Sequence, residues 1–144
     1  VFVKKDLSEA ALHEYAGKIK VVISVPSLDT GVCALETKTF NKKLAQYKDK
    51  AVVGVIISKD LPFAMKRFCE TEGIENVETV SDFRYNNFGI KYNAEIIDGP
   101  MKMLLARAVW VIDRDNTIVY TELVPEITSE PQYDKVLEVI SKMV

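Results

Sequence analysis

A turn that joins an apolar strand to a helix constrains this fold more than any other stretch. The β-branched run at residues 21–25 ends at Pro26, and the chain then turns through residues 29–31 before a helical pattern begins. With Thr30 as the N-cap, Cys33 is the third helical residue, where backbone N–H groups lack partners within the helix. Those N–H groups and the helix dipole favour a thiolate over a thiol. The stretch therefore predicts a strand–turn–helix unit that presents a reactive cysteine.

The same order of strand and helix recurs along the chain. Apolar runs without alternation at 20–25 and 51–58 are typical of strands that are buried on both faces. The other predicted elements are strands at 1–3, 77–80, 107–112 and 117–123, and helices at 7–15, 35–47, 62–71 and from Pro131 onward. Parallel crossovers followed by an antiparallel hairpin predict the α/β class. We expect one domain over residues 1–144, with a thioredoxin-like fold in which helices cover both faces of a mixed central β-sheet.

Charge and hydropathy exclude several kinds of partner. The chain has 19 basic and 21 acidic side chains, which leaves a net charge of −2 and no electrostatic basis for binding nucleic acid or an anionic membrane. The longest apolar run, residues 51–57, is far shorter than the roughly 18 residues that a membrane-spanning helix needs. No signal-peptide pattern is visible. We therefore expect neither a nucleic-acid partner nor a membrane partner.

The cysteine and histidine content limits the possible chemistry. Cys33 and Cys69 are the only cysteines and His13 is the only histidine, too few for a zinc site. The sequence has no glycine-rich phosphate loop, and no motif connects His13 with Cys33 as a catalytic base. We expect no metal and no cofactor. Two readings of the cysteines stay open at this point, namely a pair of structural thiols or a redox pair.

A cation is needed to help a helix N-terminus stabilise a thiolate, and Arg107 is the best candidate. It precedes the apolar strand at 108–112, where a positive charge requires a partner. Thr30, three residues before Cys33, can bring its hydroxyl near the sulfur and orient a bound oxygen.

The order Pro26-x-x-x-Thr30-x-x-Cys33 matches the active-site motif of the peroxiredoxins. Further blocks resemble the bacterial thiol peroxidases, which are atypical two-cysteine peroxiredoxins of the Tpx type. These blocks are residues 27–33, 67–69 (Arg-Phe-Cys), 72–77, 81–84 (Ser-Asp-Phe-Arg), 104–108 and 120–127. The resemblance covers nearly the whole chain.

This resemblance implies a role for each matching position. Cys33 is expected to be the peroxidatic cysteine and Cys69 the resolving cysteine, joined by an intramolecular disulfide during turnover. Thr30 and Arg107 are expected to hold the peroxide and the thiolate, while Pro26 shields the pocket. The N-terminal β-hairpin that the family carries before the strand corresponding to residues 1–3 is expected to be missing here.

The resemblance also implies the reaction and its setting. We expect an antioxidant peroxidase that reduces hydrogen peroxide and organic hydroperoxides, with thioredoxin or a similar dithiol as reductant. A homodimer in the bacterial cytoplasm is expected, with the periplasm as the alternative compartment.

Two other classes of protein make different predictions. A dithiol oxidoreductase like thioredoxin needs a Cys-x-x-Cys motif, but the position of the second cysteine is occupied by Glu36. A thioredoxin-fold module for redox sensing or protein interaction, without catalytic activity, would react slowly with peroxide. The rate of oxidation therefore separates this second class from a peroxidase.

Overall fold

Seven strands form one mixed β-sheet at the centre of the computed structural model, which describes residues 1–47 and 49–144. The strands are β1 (Phe2–Lys4), β2 (Glu9–Ala10), β3 (Ile19–Ser24), β4 (Val52–Ser58), β5 (Val77–Ser81), β6 (Ala108–Ile112) and β7 (Ile118–Leu123). The helices are α1 (Gly31–Leu44), α2 (Pro62–Glu72), α3 (Asn87–Lys91) and α4 (Tyr133–Ser141). In space the strands follow the order β2-β1-β5-β4-β3-β6-β7.

Parallel pairing at the centre of the sheet brings the starts of two helices to one edge. Strand β3 runs parallel to β4, with Ser24 opposite Ile57, and β4 runs parallel to β5. Helices α1 and α2 follow β3 and β4, so both begin at the carboxyl edge of these strands. Strands β1, β6 and β7 pair antiparallel. The predicted mixed sheet, including the hairpin of β6 and β7, is confirmed.

The central strands separate two apolar cores. Alternate side chains of β3 point to opposite faces: Val21 and Ile23 pack in one core, and Val22 packs in the other. The first core contains buried side chains of α1, α2 and α4, and the second contains Phe88 of α3 and Trp110 of β6. Helical segments therefore cover both faces, as predicted. Within residues 1–47 and 49–144, no helix has the length and apolar character needed to cross a membrane.

The predicted helix at residues 7–15 is wrong. Leu7 has a positive φ of 75° in a turn, and Glu9 pairs with Val3 in the sheet. Only Leu12–Tyr15 is helical, as a short 3₁₀ helix. Of the three residues in the i, i+4, i+8 pattern only Tyr15 is buried; Leu7 is 49% exposed, and Ala11 is the N-cap of the short helix. The last helix also begins later than predicted, at Tyr133 rather than Pro131.

Candidate active site

The first turn of α1 holds Cys33 at the position that the sequence predicted. Thr30 is the N-cap, and its Oγ1 accepts a hydrogen bond from the backbone N–H of Cys33 at 3.3 Å. The same hydroxyl donates to the carbonyl oxygen of Ser27 at 3.1 Å. Thr30 thereby joins the loop after β3 to the helix. The Cys33 side chain is fully buried, on the core-facing side of α1 together with Thr37 and Phe40.

The guanidinium of Arg107 lies beside this turn, although Arg107 follows Cys33 by 74 positions in the sequence. Its Nε and Nη2 donate to the carbonyl oxygen of Ile127 at 3.0 and 2.7 Å, and its Nη1 donates to Glu36 Oε2 at 2.8 Å. Burial on its own lowers the pKa of Arg107, but negative charge at Cys33 and the hydrogen bond to Glu36 outweigh burial, and the pKa is raised. The cation therefore stays charged beside the sulfur.

These contacts leave part of the guanidinium free for chemistry. A guanidinium carries five N–H donors, and the bonds to Ile127 and Glu36 use three of them. One N–H on each terminal nitrogen remains to serve the Cys33 sulfur or a bound oxygen. Arg107 can divide its donors in this way because they lie on three separate nitrogens of a planar group. A lysine ammonium would offer all of its donors from a single nitrogen.

Glu36 is the site residue that the sequence reasoning missed. Its side chain is completely buried one turn after Cys33, and its Oε1 has no hydrogen-bond partner among the described residues. Burial raises the pKa of Glu36 to about 7, although Arg107 opposes the shift. The signal available in the sequence was the carboxylate of Glu36, three residues after Cys33, together with the buried charge of Arg107, which requires a partner.

An apolar groove lies beside the first turn of α1. It has a volume of about 340 Å³ and is lined by Thr30, Gly31, Val32, Met101, Arg107, Ile127 and Thr128. Thr30 and Arg107 are the polar groups nearest to Cys33 in this lining. Pro26 is buried at the end of β3 and is not among the lining residues. The structure thus brings Thr30, Cys33 and Arg107 together, whereas Pro26 does not line this groove.

Cys69 is buried in the same core as Cys33 and is not bonded to it. Both cysteines are free thiols, and Cys69 is the eighth residue of α2. A helix rises about 1.5 Å per residue, so Cys69 lies roughly 10 Å along α2 from its first residue, whereas Cys33 lies in the first turn of α1. A disulfide requires Cα atoms within about 7 Å. We expect the ends of these helices to unwind when the two thiols are joined.

Two contacts hold Cys69 in place. Its Sγ is 3.4 Å from the hydroxyl of Thr79, a buried residue of β5. Its carbonyl oxygen accepts hydrogen bonds from Gly73 and Ile74 at the end of α2. Gly73 has a φ of 67°, the left-handed conformation that glycine adopts at helix ends. Cys69 is therefore fixed close to the end of its helix.

The chain matches the Redoxin family model over residues 1–137. It is 55% identical to a thiol peroxidase of Leptospira interrogans over 133 residues, which cover 91% of this chain and 77% of the relative. It is 46% identical to a thiol peroxidase of Aquifex aeolicus over 144 residues, which cover 100% and 83%. The chain belongs to the Redoxin family, among its thiol peroxidases. It is a peroxidase of the oxidoreductase class.

Solved structures agree with this family. A peroxiredoxin-like protein from Aquifex aeolicus has a TM-score of 0.94 and 46% identity, with coverage of 100% of this chain and 82% of that chain. A thiol peroxidase from Chromobacterium violaceum has a TM-score of 0.88 at 19% identity, covering 98% and 81%. At this lower identity the likeness concerns the fold alone. The thioredoxin-like peroxiredoxin fold that the sequence predicted is confirmed.

Proposed function

We propose that the chain reduces hydrogen peroxide and organic hydroperoxides at Cys33. The observation that carries this proposal is the position of Cys33 in the first turn of α1, between the Thr30 cap and the Arg107 guanidinium. Backbone N–H groups, the helix dipole and a fixed cation all favour negative charge at that place. The groove above it admits a small or apolar hydroperoxide.

In the first step the Cys33 thiolate attacks the terminal oxygen of the peroxide. The S–O bond forms as the O–O bond breaks, and the departing oxygen takes a proton to leave as an alcohol or water. Sulfur loses two electrons, the peroxide gains them, and Cys33 becomes a sulfenic acid. Arg107 donates to the oxygen on which charge develops, and the Thr30 hydroxyl orients the peroxide. Pro26 shields the sulfur from water.

In the second step Cys69 attacks the sulfenic sulfur of Cys33. An S–S bond forms, the S–O bond breaks, and water leaves, which produces an intramolecular disulfide. A dithiol reductant such as thioredoxin then regenerates both thiols by exchange and becomes a disulfide itself. Because this recycling needs a reducing compartment, we place the enzyme in the bacterial cytoplasm, in a role in antioxidant defence.

The test is peroxide consumption, with and without a thioredoxin system. Cys33→Ser should abolish both the first equivalent and continued turnover. Cys69→Ser is the matched control, because it removes the other thiol and should still consume one equivalent of peroxide. Substantial turnover by Cys33→Ser would assign the reaction to a different group.

We also propose that the chain forms a homodimer through a patch beside the active-site loop. Leu7, Leu61, Phe63 and Phe83 are exposed, with Phe63 at 68% and Phe83 at 62%, and they line a groove of about 480 Å³. Leu61 follows Asp60, whose carboxylate contacts the loop at Ser27. The patch thus adjoins the loop that precedes Cys33.

Sedimentation of the wild type at micromolar concentration should show a dimer, and Phe63→Glu should shift it to a monomer. Ile118→Glu is the matched control, because Ile118 is exposed on β7 at the opposite edge of the sheet. A monomeric wild type counts against the dimer but leaves the peroxidase chemistry untouched.

A further inference from the structure

One carboxylate connects the loop before Cys33 with the segment that leads into α2. The Oδ1 of Asp60 accepts from the Ser27 hydroxyl at 2.7 Å. Its Oδ2 accepts from the backbone N–H of Leu28 at 2.8 Å and from the Ser58 hydroxyl at 2.7 Å. Hydrogen bonds to an ionised carboxylate are roughly twice as strong as those between neutral groups. Asp60 is therefore a firm attachment point for residues 27 and 28.

The main chain of Asp60 is fixed as well. Its N–H donates to the Ser58 hydroxyl at 3.1 Å, and its carbonyl oxygen accepts from the Ser81 hydroxyl at 2.6 Å. Ser58 ends β4 and Ser81 ends β5, so the carboxylate is supported by two strands of the sheet. Rigid support of this kind lets one side chain define the position of a neighbouring loop.

A continuous series of hydrogen bonds leads from Asp60 to the reacting cysteine. Asp60 holds Ser27, the carbonyl oxygen of Ser27 accepts from both the N–H and the hydroxyl of Thr30, and the Thr30 hydroxyl accepts from the N–H of Cys33. In the other direction α2, which carries Cys69, begins two residues after Asp60. Asp60 thus lies between the two cysteine-bearing segments.

We propose that Asp60 is a positioning residue that holds residues 26–30 in the conformation that captures peroxide, and that the bonds to Ser27 and Leu28 must break before the disulfide forms. The inference rests on the proposed roles of Cys33 and Cys69. The first turn of α1 cannot unwind while Thr30 remains attached to a loop that Asp60 holds in place. Asp60 therefore favours the first step of the reaction and slows the second.

The distinguishing experiment measures the two steps separately in Asp60→Asn. Ser27 and Leu28 donate to different oxygens of Asp60, and the amide replaces one of these oxygens with a donor, so one of the two bonds is lost. We expect the second-order oxidation of Cys33 by peroxide to slow about tenfold, because the cap on α1 loses its fixed position. The first-order formation of the disulfide should accelerate about threefold to tenfold. Rapid quenching, alkylation and mass spectrometry follow both steps.

Two further variants keep the test decisive. Ser27→Ala removes one of the bonds to Asp60 and should shift both rates in the same two directions by a smaller factor. Combining it with Asp60→Asn should add little, because both substitutions break the same contact. Asp113→Asn is the matched control: it changes another carboxylate that accepts from two backbone N–H groups, in the turn between β6 and β7, and should leave both rates unchanged. If Asp60→Asn does not fold, the Ser27→Ala result decides.

Unchanged rates in folded Asp60→Asn, or an equal slowing of both steps, would overturn the inference. Failure of the underlying mechanism looks different, because the wild type itself would then form no Cys33–Cys69 disulfide. In that case the change in the rate of Cys33 oxidation still decides whether Asp60 positions the loop.

Discussion

Arg107 and Glu36 form an ion pair inside the core, with Nη1 of the arginine 2.8 Å from Oε2 of the carboxylate. The two side chains are 2% and 0% exposed. Removing one member of such a pair leaves the other buried and uncompensated, which costs more than the pair contributes. The pair therefore ties the position of the guanidinium beside Cys33 to the stability of α1.

Replacing Arg107 should impair both chemistry and stability. Arg107→Ala removes the donor to the developing oxygen charge, and we expect Cys33 oxidation to slow about a hundredfold. The free energy of unfolding should fall by about 3 kcal/mol. Arg107→Lys should recover only part of the rate, because one ammonium cannot serve Ile127, Glu36 and peroxide together. Stopped-flow oxidation and urea unfolding measure the two effects.

Arg114→Ala is the matched control for this prediction, because Arg114 is an exposed arginine. It should leave the oxidation rate as in the wild type. A destabilised Arg107→Ala that oxidised at the normal rate would give Arg107 a purely structural role.

Glu36 should make stability depend on pH. The folded chain raises the pKa of this carboxyl from 4.5 to about 7 through burial, so the folded state holds the proton more tightly than the unfolded state. The stability from this group is complete below about pH 4.5 and is lost as the pH rises through about 7. Between those values the free energy of unfolding of the wild type, relative to Glu36→Gln, should fall by up to about 3 kcal/mol.

Urea unfolding at several pH values checks this expectation. Glu138→Gln, at an exposed glutamate of α4, should follow the wild-type curve. A wild-type stability that rises against Glu36→Gln over the same interval would mean that Arg107 keeps the carboxyl ionised.

Cys69→Ser should separate the oxidation of Cys33 by peroxide from the formation of the disulfide. The sulfenic acid on Cys33 then has no thiol partner in the chain, so it should persist and take a second oxygen to become a sulfinic acid. Thioredoxin-linked turnover should be lost while the first oxidation keeps its rate. Peptide mapping of the peroxide-treated wild type supplies the comparison, and a disulfide between two chains would contradict the intramolecular assignment.

The Thr79 hydroxyl should delay release of Cys69. It lies 3.4 Å from the Cys69 sulfur in an otherwise apolar part of the core. Thr79→Val removes this contact without changing the shape of the side chain, and we expect disulfide formation to accelerate about twofold to threefold. Thr79→Ser keeps the hydroxyl and should behave as the wild type. A slower disulfide step in Thr79→Val would mean that the hydroxyl assists the attack of Cys69 instead.

Local signals in the sequence were sufficient for the parts of the fold that depend on neighbouring residues. Thr30 caps α1 because its hydroxyl reaches the N–H three residues later, and Gly73 ends α2 because it accepts a positive φ. The buried strands β3 and β4 were evident from continuous apolar runs. The helix predicted at residues 7–15 was wrong because the helical spacing of three apolar residues does not show that Glu9 and Ala10 pair with β1 in the sheet.

Only the tertiary structure decided how the site is supported. Glu36 meets Arg107 across 71 positions, Asp60 meets Ser27 across 33, and Thr79 meets Cys69 from a neighbouring strand. Each contact depends on the order of the strands in the sheet, which places distant segments at one edge. The sequence by itself determined which cysteine lies at a helix start, because capping is a local hydrogen bond. The partners of that helix were decided by packing, because a buried charge takes whichever opposite charge the folded chain brings within reach.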